Sequence, residues 1–193
     1  ASGEPEVDLS IPFAEEGGPS AWYVDNMKVE VVRSNGFLGS VAEGGSVNFR
    51  NVTFNPHGNG THTECLGHIS PEADSVEAIA IPSVLPCLLI SIKPEHINGD
   101  EVVTLDQIRA ACALHWGDAD QLPPAIVVRT LPHDARKTSR NWSNTNPAYF
   151  TPEVAAWLAD MEVNHWLIDL PSVDRESDGG ALAAHHAYWR YPD

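Results

Sequence analysis

Short apolar runs alternate with amphipathic stretches along the second half of the chain, and this order limits the possible folds more than any other feature. The runs at 87–93 (CLLISIK), 125–130 (AIVVRT) and 165–170 (HWLIDL) predict strands, the first of them covered on both faces. The stretches at 104–114 and 151–161 predict helices, because their apolar residues recur at helical spacing behind a threonine N-cap. Strands and helices in alternation predict a mixed α/β fold.

The first third of the chain predicts strands and hairpins. The segments 27–34 (MKVEVVRS) and 46–54 (SVNFRNVTF) alternate apolar and polar residues, which is typical of strands with one buried face. The segment 6–13 (EVDLSIPF) predicts a further strand. A short helix is expected at 70–83 (SPEADSVEAIAIPS), and another at 179–189 (GGALAAHHAYW).

Composition argues against several classes of partner. A formal net charge of −16 repels phosphate groups, so we expect neither nucleic acid nor a membrane as a partner. No apolar run approaches the roughly 20 residues of a membrane helix, and the polar N-terminus shows no signal peptide.

The cysteines form no CxxC pair, and Cys87 and Cys112 lie among apolar residues as small core side chains. This usage favours the cytoplasm. The 193 residues predict a single domain over residues 1–193.

The segment 55–70, NPHGNGTHTECLGHIS, gathers side chains that bind metals. His62 and Glu64 point to the same side if the segment is extended, and the glycines between His57 and His62 let the chain turn so that all three side chains converge. Two imidazoles and a carboxylate suit zinc or manganese and leave a position for water. The pKa of that water would fall to about 7, so that hydroxide is available for hydrolysis at neutral pH.

Other residues of the segment are candidates for proton transfer or nucleophilic attack. His68 follows Glu64 by four residues, so a helical turn would bring it beside the metal, where it suits a general acid or base. Cys65 is open to three interpretations: a small core residue, a fourth ligand, or a nucleophile paired with His68. Near the C-terminus, His185 and His186 are adjacent on a predicted helix and point about 100° apart, so at most one of them faces a given site.

Several segments together carry a resemblance to a known family. GTHTECLGH (60–68) resembles the H-x-G-T-H-x-D-x-P-x-H motif of the cyclase-like metal-dependent hydrolases, a family that includes arylformamidases and isatin hydrolases. VDLSIPF (7–13) and Trp22 resemble the family's opening strand and the aromatic residue near its substrate. The stretch 151–189, from TPEVAAWLAD to AHHAYW, is similar to the closing part of the family pattern. The resemblance therefore covers nearly the whole chain.

The resemblance implies both a fold and a reaction. The implied fold is the swivelling β/β/α domain with a mixed sheet, assembled as homodimers or homotetramers. The implied reaction is metal-assisted hydrolysis of an amide-type C–N bond in a small molecule, an aryl formamide or a cyclic amide, with one or two Zn²⁺ or Mn²⁺ ions as cofactors. By position in the motifs, the resemblance implies metal ligands His62, Glu64 and His185, the catalytic acid/base His68, and the substrate-binding residue Trp22.

The chain departs from the family pattern at four places. The family's first histidine aligns with Gly58, so His57 is expected to act as a ligand only through a local bulge. Glu64 replaces an aspartate, and Leu66 replaces a proline. No glutamate follows the histidine pair before Asp193, and the closing strands of the family are not found, so the chain is expected to be C-terminally incomplete with a weakened second metal site.

Two other hypotheses stay open, and the departures motivate the first of them. One is a non-catalytic relative of the same fold that binds a metal or a small molecule. The other is a hydrolase in which Cys65, activated by His68, is the nucleophile.

Overall fold

The chain folds into two compact units that each contain strands and at least one helix. The computed structural model describes residues 7–72, 74–79, 82–117 and 121–192. The first unit comprises Ala1–His62 and Thr138–Ser143, and the second comprises Thr63–Lys137 and Asn144–Asp193. The mixed α/β class predicted from the sequence is therefore confirmed. The swivelling β/β/α arrangement and a single domain over the whole chain stay predictions.

The first unit contains two small antiparallel pairs of strands. They are β1 (Lys28–Val31), β2 (Arg33–Ser34), β3 (Phe37–Leu38) and β4 (Arg50–Thr53). β1 pairs with β4, and β2 pairs with β3. Asn35 and Gly36 connect β2 to β3 with φ angles of 48° and 82°, which is the conformation that an Asn-Gly pair adopts readily in a two-residue hairpin.

The sequence predicted some of these strands correctly and others wrongly. The strand at 27–34 is confirmed, although it is divided between β1 and β2, whereas the strand expected at 46–54 begins only at Arg50. The strand expected at 6–13 is wrong for the described residues from 7 onward, which adopt no regular structure there. Ser10 N–H donates to Asp8 Oδ1 at 2.8 Å, and Pro12 has no N–H, so neither residue offers a backbone donor to a neighbouring strand.

The second unit contains two three-stranded sheets. Its strands are β5 (Cys87–Ile92), β6 (Glu95–Ile97), β7 (Asp100–Val103), β8 (Ala125–Thr130), β9 (Tyr149–Phe150) and β10 (His165–Ile168). The larger sheet is parallel throughout, in the order β10-β8-β5. The smaller sheet has the order β6-β7-β9, with β6 antiparallel and β9 parallel to β7.

The helices are α1 (Pro56–Asn59) in the first unit and α2 (Leu105–Trp116), α3 (Pro152–Asp160) and α4 (Ala183–Trp189) in the second. α2 begins with a capping box, in which Gln107 Oε1 accepts from Thr104 N–H at 3.1 Å, and α3 begins at Pro152 after Thr151. The helices predicted in these three regions of the second unit are confirmed. Among the described residues, no helix is both long and apolar enough to cross a membrane.

The helix expected at 70–83 is wrong for the part of the segment that the structure describes. Only a 3-10 turn at Val76–Ala78 forms there, followed by Pro82, whose ring cannot continue a helix. Residues 73, 80 and 81 of this segment lie outside the described residues.

The core of the second unit lies between one face of the parallel sheet and the helices α2 and α3. Ile90, Val128 and Leu158 are fully buried in it. The opposite face of the sheet carries Leu89 and Leu167, which are 56% and 43% exposed. Because alternate residues of a strand point to opposite faces, the helices cover only one of the two sets. The prediction that the β5 strand is covered on both faces is therefore wrong for the part of the chain described.

The cysteines divide between core and surface. Cys112 is fully buried and confirms its predicted place in the core, and Cys65 is buried as well. Cys87 is exposed because it lies on the same uncovered face of β5 as Leu89, so its predicted core position is wrong.

Candidate active site

The histidine-rich segment begins with one turn of helix, α1, which the sequence did not predict. Asn55 precedes the turn, and its side-chain oxygen accepts from Gly58 N–H at 3.3 Å. Pro56 follows in the first turn, where its missing N–H is not needed. The buried Asn59 side chain donates to Asp25 O at 3.0 Å. These bonds hold the start of the segment within the first unit.

Gly58 lies where α1 contacts the turn that carries Trp22. Ala21 N–H donates to Gly58 O at 3.0 Å, and a Cβ on Gly58 would lie closer than 3.0 Å to Val24 Cγ2 and to Ala21 O. Trp22 and Tyr23 have φ angles of 57° and 60°, a region that bulky side chains rarely occupy. Such backbone strain costs about 1–3 kcal/mol per residue and persists only where the surroundings impose it. The half-buried Trp22 is therefore held in a constrained position.

Two predicted ligands of the first unit have rings that lie edge to face. The ring centroids of His57 and His62 are 4.9 Å apart, with the planes inclined at 68°. His62 Nδ1 is 3.0 Å from Gly60 O, and because a carbonyl oxygen only accepts, Nδ1 carries the proton. The lone pair of His62 is then on Nε2. Metal-binding histidines commonly have this tautomer, with the distant nitrogen as the ligand.

In the second unit, Glu64 lies between two imidazoles. Its Oε1 is 3.6 Å from His68 Nε2, and its Oε2 is 3.3 Å from His185 Nε2. The ring centroids of His68 and His185 are 5.3 Å apart. His68 reaches this position because Leu66–His68 forms a 3-10 turn. Glu64 and His68 are among the described side chains whose ligand atoms lie within 4.8 Å of one another, close enough to share one ion.

His185 is held by a carboxylate that the sequence analysis did not select. Asp174 Oδ2 accepts from His185 Nδ1 at 2.5 Å, and both side chains are buried. The backbone N–H groups of Ala184 and His185 also donate to Asp174, at 2.7 and 3.2 Å. Asp174 lies in a loop, eleven residues before His185, so neither helical nor strand periodicity indicates the pair. The sequence signal for Asp174 is its place in the stretch 151–189, which resembles the closing part of the family pattern.

Burial and hydrogen bonding have opposite effects on the pKa values of Asp174 and His185. Burial alone would lower the pKa of His185, but hydrogen bonds to Asp174 and then to Glu64 outweigh it and raise the pKa to about 9. Burial alone would raise the pKa of Asp174, but hydrogen bonds from the His185 ring and from the backbone of Ala184 and His185 lower it overall. The two carboxylates thus favour positive charge at this point, which a divalent cation would also supply.

The neighbouring His186 faces elsewhere, as the sequence predicted for one member of the pair. Its Nδ1 bonds to the backbone oxygen of Tyr191, and its ring stacks on the Tyr191 ring.

The donor atoms fit a zinc- or manganese-type cation. The second unit offers one carboxylate and two imidazoles, a mixed oxygen and nitrogen set that suits these metals. His62 and His185 each have Nδ1 bonded to an oxygen, which is the usual support of a histidine ligand. The first unit contains His57, His62 and Trp22, and the second contains Glu64, His68 and His185. The roles of these six residues as ligands, acid/base and substrate contact stay predictions.

Comparison with known proteins finds a matching family model and several similar curated proteins. A model of the family described as putative cyclase matches residues 7–175. The kynurenine formamidases of Bordetella petrii and Bordetella avium are each 28% identical to this chain, over 145 and 152 residues, which is 75% of this chain and 61% of theirs. The kynurenine formamidase of Geobacillus thermodenitrificans is 30% identical over 151 residues, 77% of this chain and 63% of its own.

The chain thus spans less than two thirds of the length of these curated relatives. The family match, in contrast, extends over most of the chain. This protein therefore belongs to the putative cyclase family.

Proposed function

We propose that this protein is a metal-dependent hydrolase that cleaves an amide-type C–N bond in a small molecule, an aryl formamide such as N-formylkynurenine or a cyclic amide. The observation that carries the proposal is the carboxylate of Glu64 between the imidazoles of His68 and His185. Similarity to kynurenine formamidases supports the aryl formamide as the first substrate to test. With that substrate, the reaction would belong to tryptophan breakdown.

The proposed ligands are His57, His62, Glu64 and His185, and the proposed cofactor is one or two Zn²⁺ or Mn²⁺ ions. When bound, such an ion polarises the substrate carbonyl and makes water a stronger nucleophile near neutral pH. The burial of His185 limits competition from bulk water for its nitrogen. Support for the set comes from the mixed nitrogen and oxygen donors and from the Nδ1 bonds of His62 and His185.

His68 is the proposed acid/base, and Trp22 is the proposed substrate contact. The His68 side chain is 30% exposed, so its imidazole can exchange protons with solvent and still donate one to a leaving nitrogen. Glu64 Oε1 lies 3.6 Å from His68 Nε2, which is beyond hydrogen-bond distance but places the carboxylate beside the imidazole. The indole of Trp22, held in its strained turn, would stack on a planar substrate ring.

Glu64→Gln tests the proposal, because it removes the carboxylate charge with little change in size. We expect the metal content after dialysis, measured by emission spectroscopy, to fall, and hydrolysis of N-formylkynurenine to drop by more than about 100-fold. Loss of residues that merely orient metal ligands already weakens binding or activity about 10–100-fold. Glu95→Gln is the matched control, since Glu95 is exposed on β6 in the same unit and should change neither quantity.

Two results would contradict the proposal. One is undiminished turnover and metal content in Glu64→Gln. The other is a wild-type protein that retains no metal and hydrolyses none of N-formylkynurenine, isatin and simple cyclic imides when Zn²⁺ or Mn²⁺ is added.

A non-catalytic relative that binds a metal or a small molecule is the second candidate. It is favoured by Glu64 in place of the family's aspartate, because the extra methylene changes where the carboxylate oxygens lie. This candidate predicts that Zn²⁺ raises the Tm of the wild-type protein while no substrate of the panel is hydrolysed.

We further propose that the protein assembles as a homodimer or homotetramer and works in the cytoplasm. The three cysteines, all of them within the described residues, are unpaired, which suits a reducing compartment. Light scattering coupled to size-exclusion chromatography tests the assembly, and a monomer at micromolar concentration would refute it.

A further inference from the structure

We propose that Asp174 is a positioning residue for the candidate metal centre, because its carboxylate holds the ring of His185 so that Nε2 points at Glu64. The inference rests on the proposed function, in which His185 and Glu64 share a cation. In this role Asp174 contacts neither the substrate nor the ion, and it acts only through His185.

Asp174 accepts hydrogen bonds both from the backbone of α4 and from the histidine ring. Oδ1 accepts from Ala184 N–H at 2.7 Å, and Oδ2 accepts from His185 N–H at 3.2 Å and from His185 Nδ1–H at 2.5 Å. One carboxylate therefore fixes both the start of the helix and the rotation of a ring on its first turn. Because a carboxylate only accepts, Nδ1 keeps its proton, and Nε2 is the nitrogen that can give up its proton and bind a cation.

The surroundings of His185 leave its ring little freedom to adopt another orientation. The ring lies 5.3 Å from the His68 ring and 5.4 Å from the Trp189 ring, measured between centroids. The side chains of His185 and Asp174 are only 8% and 7% exposed. A rotated ring would leave the buried carboxylate without its ring donor, which is unfavourable for a charged group away from water.

Asp174 is itself held by the segment that carries it, residues 172–177, which we call the 172–177 strap. Asp174 N–H donates to Ser172 Oγ at 3.1 Å, and Phe150 N–H donates to Val173 O at 2.9 Å. The second of these bonds ties the strap to β9. The backbone on the N-terminal side of Asp174 is thus attached to the second unit.

The strap is attached on the C-terminal side of Asp174 as well. Arg175 donates to both carboxylate oxygens of Asp100, at 2.9 and 3.3 Å. The Glu176 carboxylate accepts from Asn144 N–H at 2.5 Å and from Asn146 N–H at 2.8 Å. A helix cap alone does not require contacts at every residue around it. This bracing suits a carboxylate whose position must be held for a partner.

Asp174→Asn tests the role, because an amide keeps the size of the side chain and one acceptor oxygen for Ala184 N–H. The amide nitrogen, however, is a donor where the ring bond needs an acceptor. Asp178→Asn is the matched control from the same loop. Asp178 also accepts from two backbone N–H groups, those of Gly180 at 2.8 Å and Leu182 at 2.7 Å, and it is not part of the proposed pair with His185.

Zinc affinity is the first readout. By isothermal titration calorimetry, we expect Zn²⁺ to bind about 10–100-fold more weakly to Asp174→Asn than to the wild-type protein, and equally well to Asp178→Asn. Circular dichroism checks that both variants are folded. Unchanged Zn²⁺ affinity in a folded Asp174→Asn protein would overturn the proposal.

The second readout needs neither a metal nor a folded variant. In wild-type protein labelled with ¹⁵N-histidine, the short bond to Asp174 predicts a far-downfield His185 Nδ1 proton that is protected from exchange. Absence of this proton would overturn the proposal, and its presence supports it even where Asp174→Asn does not fold. A wild-type protein that shows the proton but binds neither Zn²⁺ nor Mn²⁺ would refute the proposed function and not the orienting role of Asp174.

Discussion

At the scale of single residues, the candidate site depends on which nitrogen of each imidazole is held by the protein. His62 and His185 both have Nδ1 bonded to an oxygen, from a backbone carbonyl in one case and a carboxylate in the other. In both residues Nε2 is the nitrogen left to bind the proposed cation. The same tautomer reached by two different supports is consistent with a requirement of the site rather than with chance packing.

Gly58→Ala is predicted to destabilise the first unit. The added Cβ would lie closer than 3.0 Å to Val24 Cγ2 and to Ala21 O, so the turn that carries Trp22 must move. Overpacking of this kind costs about 1–3 kcal/mol. Urea denaturation followed by tryptophan fluorescence measures the change in the free energy of unfolding.

Val24→Ala supplies the control for this prediction. On its own it removes a half-buried side chain, but combined with Gly58→Ala it also removes one of the two clashing groups. We therefore expect the double variant to lose less stability than the sum of the two single variants. Strict additivity would show that Gly58 and Val24 do not contact each other.

The sequence predicted some of these residues and could not predict others. His68 beside Glu64 follows from a spacing of four residues once a turn forms, because local geometry alone brings such side chains together. Asp174 has no such spacing, and its position depends on contacts that other parts of the second unit make with the 172–177 strap. The strained turn at Trp22 depends on packing against α1, which no local pattern encodes.

At the scale of elements, the residues at which helices begin were easier to predict than the faces that strands bury. α2 begins at a capping box formed by Thr104 and Gln107, and α3 begins at Pro152, whose missing N–H is not needed in a first turn, and these signals are local. The exposed face of β5 was predicted wrongly, because an apolar run shows only that its side chains avoid water. Which face the helices cover depends on the connections of the whole sheet.

Two leucines test this difference between faces. Leu158→Ala on α3 empties a fully buried position, and we expect it to lower the free energy of unfolding by about 2–5 kcal/mol. Leu114→Ala on α2 removes a side chain that is 78% exposed, and we expect a change within about 0.5 kcal/mol. Equal effects in urea denaturation would mean that α3 does not bury its apolar stripe as the structure describes.

At the scale of the whole molecule, most formal charge is negative. Carboxylates that have a hydrogen-bond or ion-pair partner connect distant parts of the chain. The net charge is −16, so carboxylates without a partner repel one another in the compact state. Asp100 and Arg175 are separated by 75 residues, and their contact forms only when the second unit is folded. Asn146 and Tyr149 donate to the same carboxylate at 2.7 and 3.0 Å. Asp100 therefore links β7, β9 and the 172–177 strap.

This network predicts a specific dependence of stability on pH. Hydrogen bonds from Asn146, Arg175 and Tyr149 lower the pKa of Asp100 below its ordinary value of 3.8. A carboxylate whose pKa is lower in the folded state stabilises the fold above its unfolded pKa, and this contribution is lost as the pH falls through the folded pKa. We expect Asp100→Asn to be less stable than the wild-type protein at neutral pH, with the difference shrinking below about pH 4.

Urea denaturation at a series of pH values measures that difference, and an exposed ion pair provides its control. Asp160→Asn breaks a contact with Arg190 in which both side chains are at least 60% exposed, and such surface pairs contribute little. We expect Asp160→Asn to follow the wild-type protein at every pH. A difference in the free energy of unfolding between Asp100→Asn and the wild-type protein that stayed constant as the pH falls would contradict this prediction. The lost stability would then come from packing, and the charge of the Asp100 carboxylate would not hold the 172–177 strap.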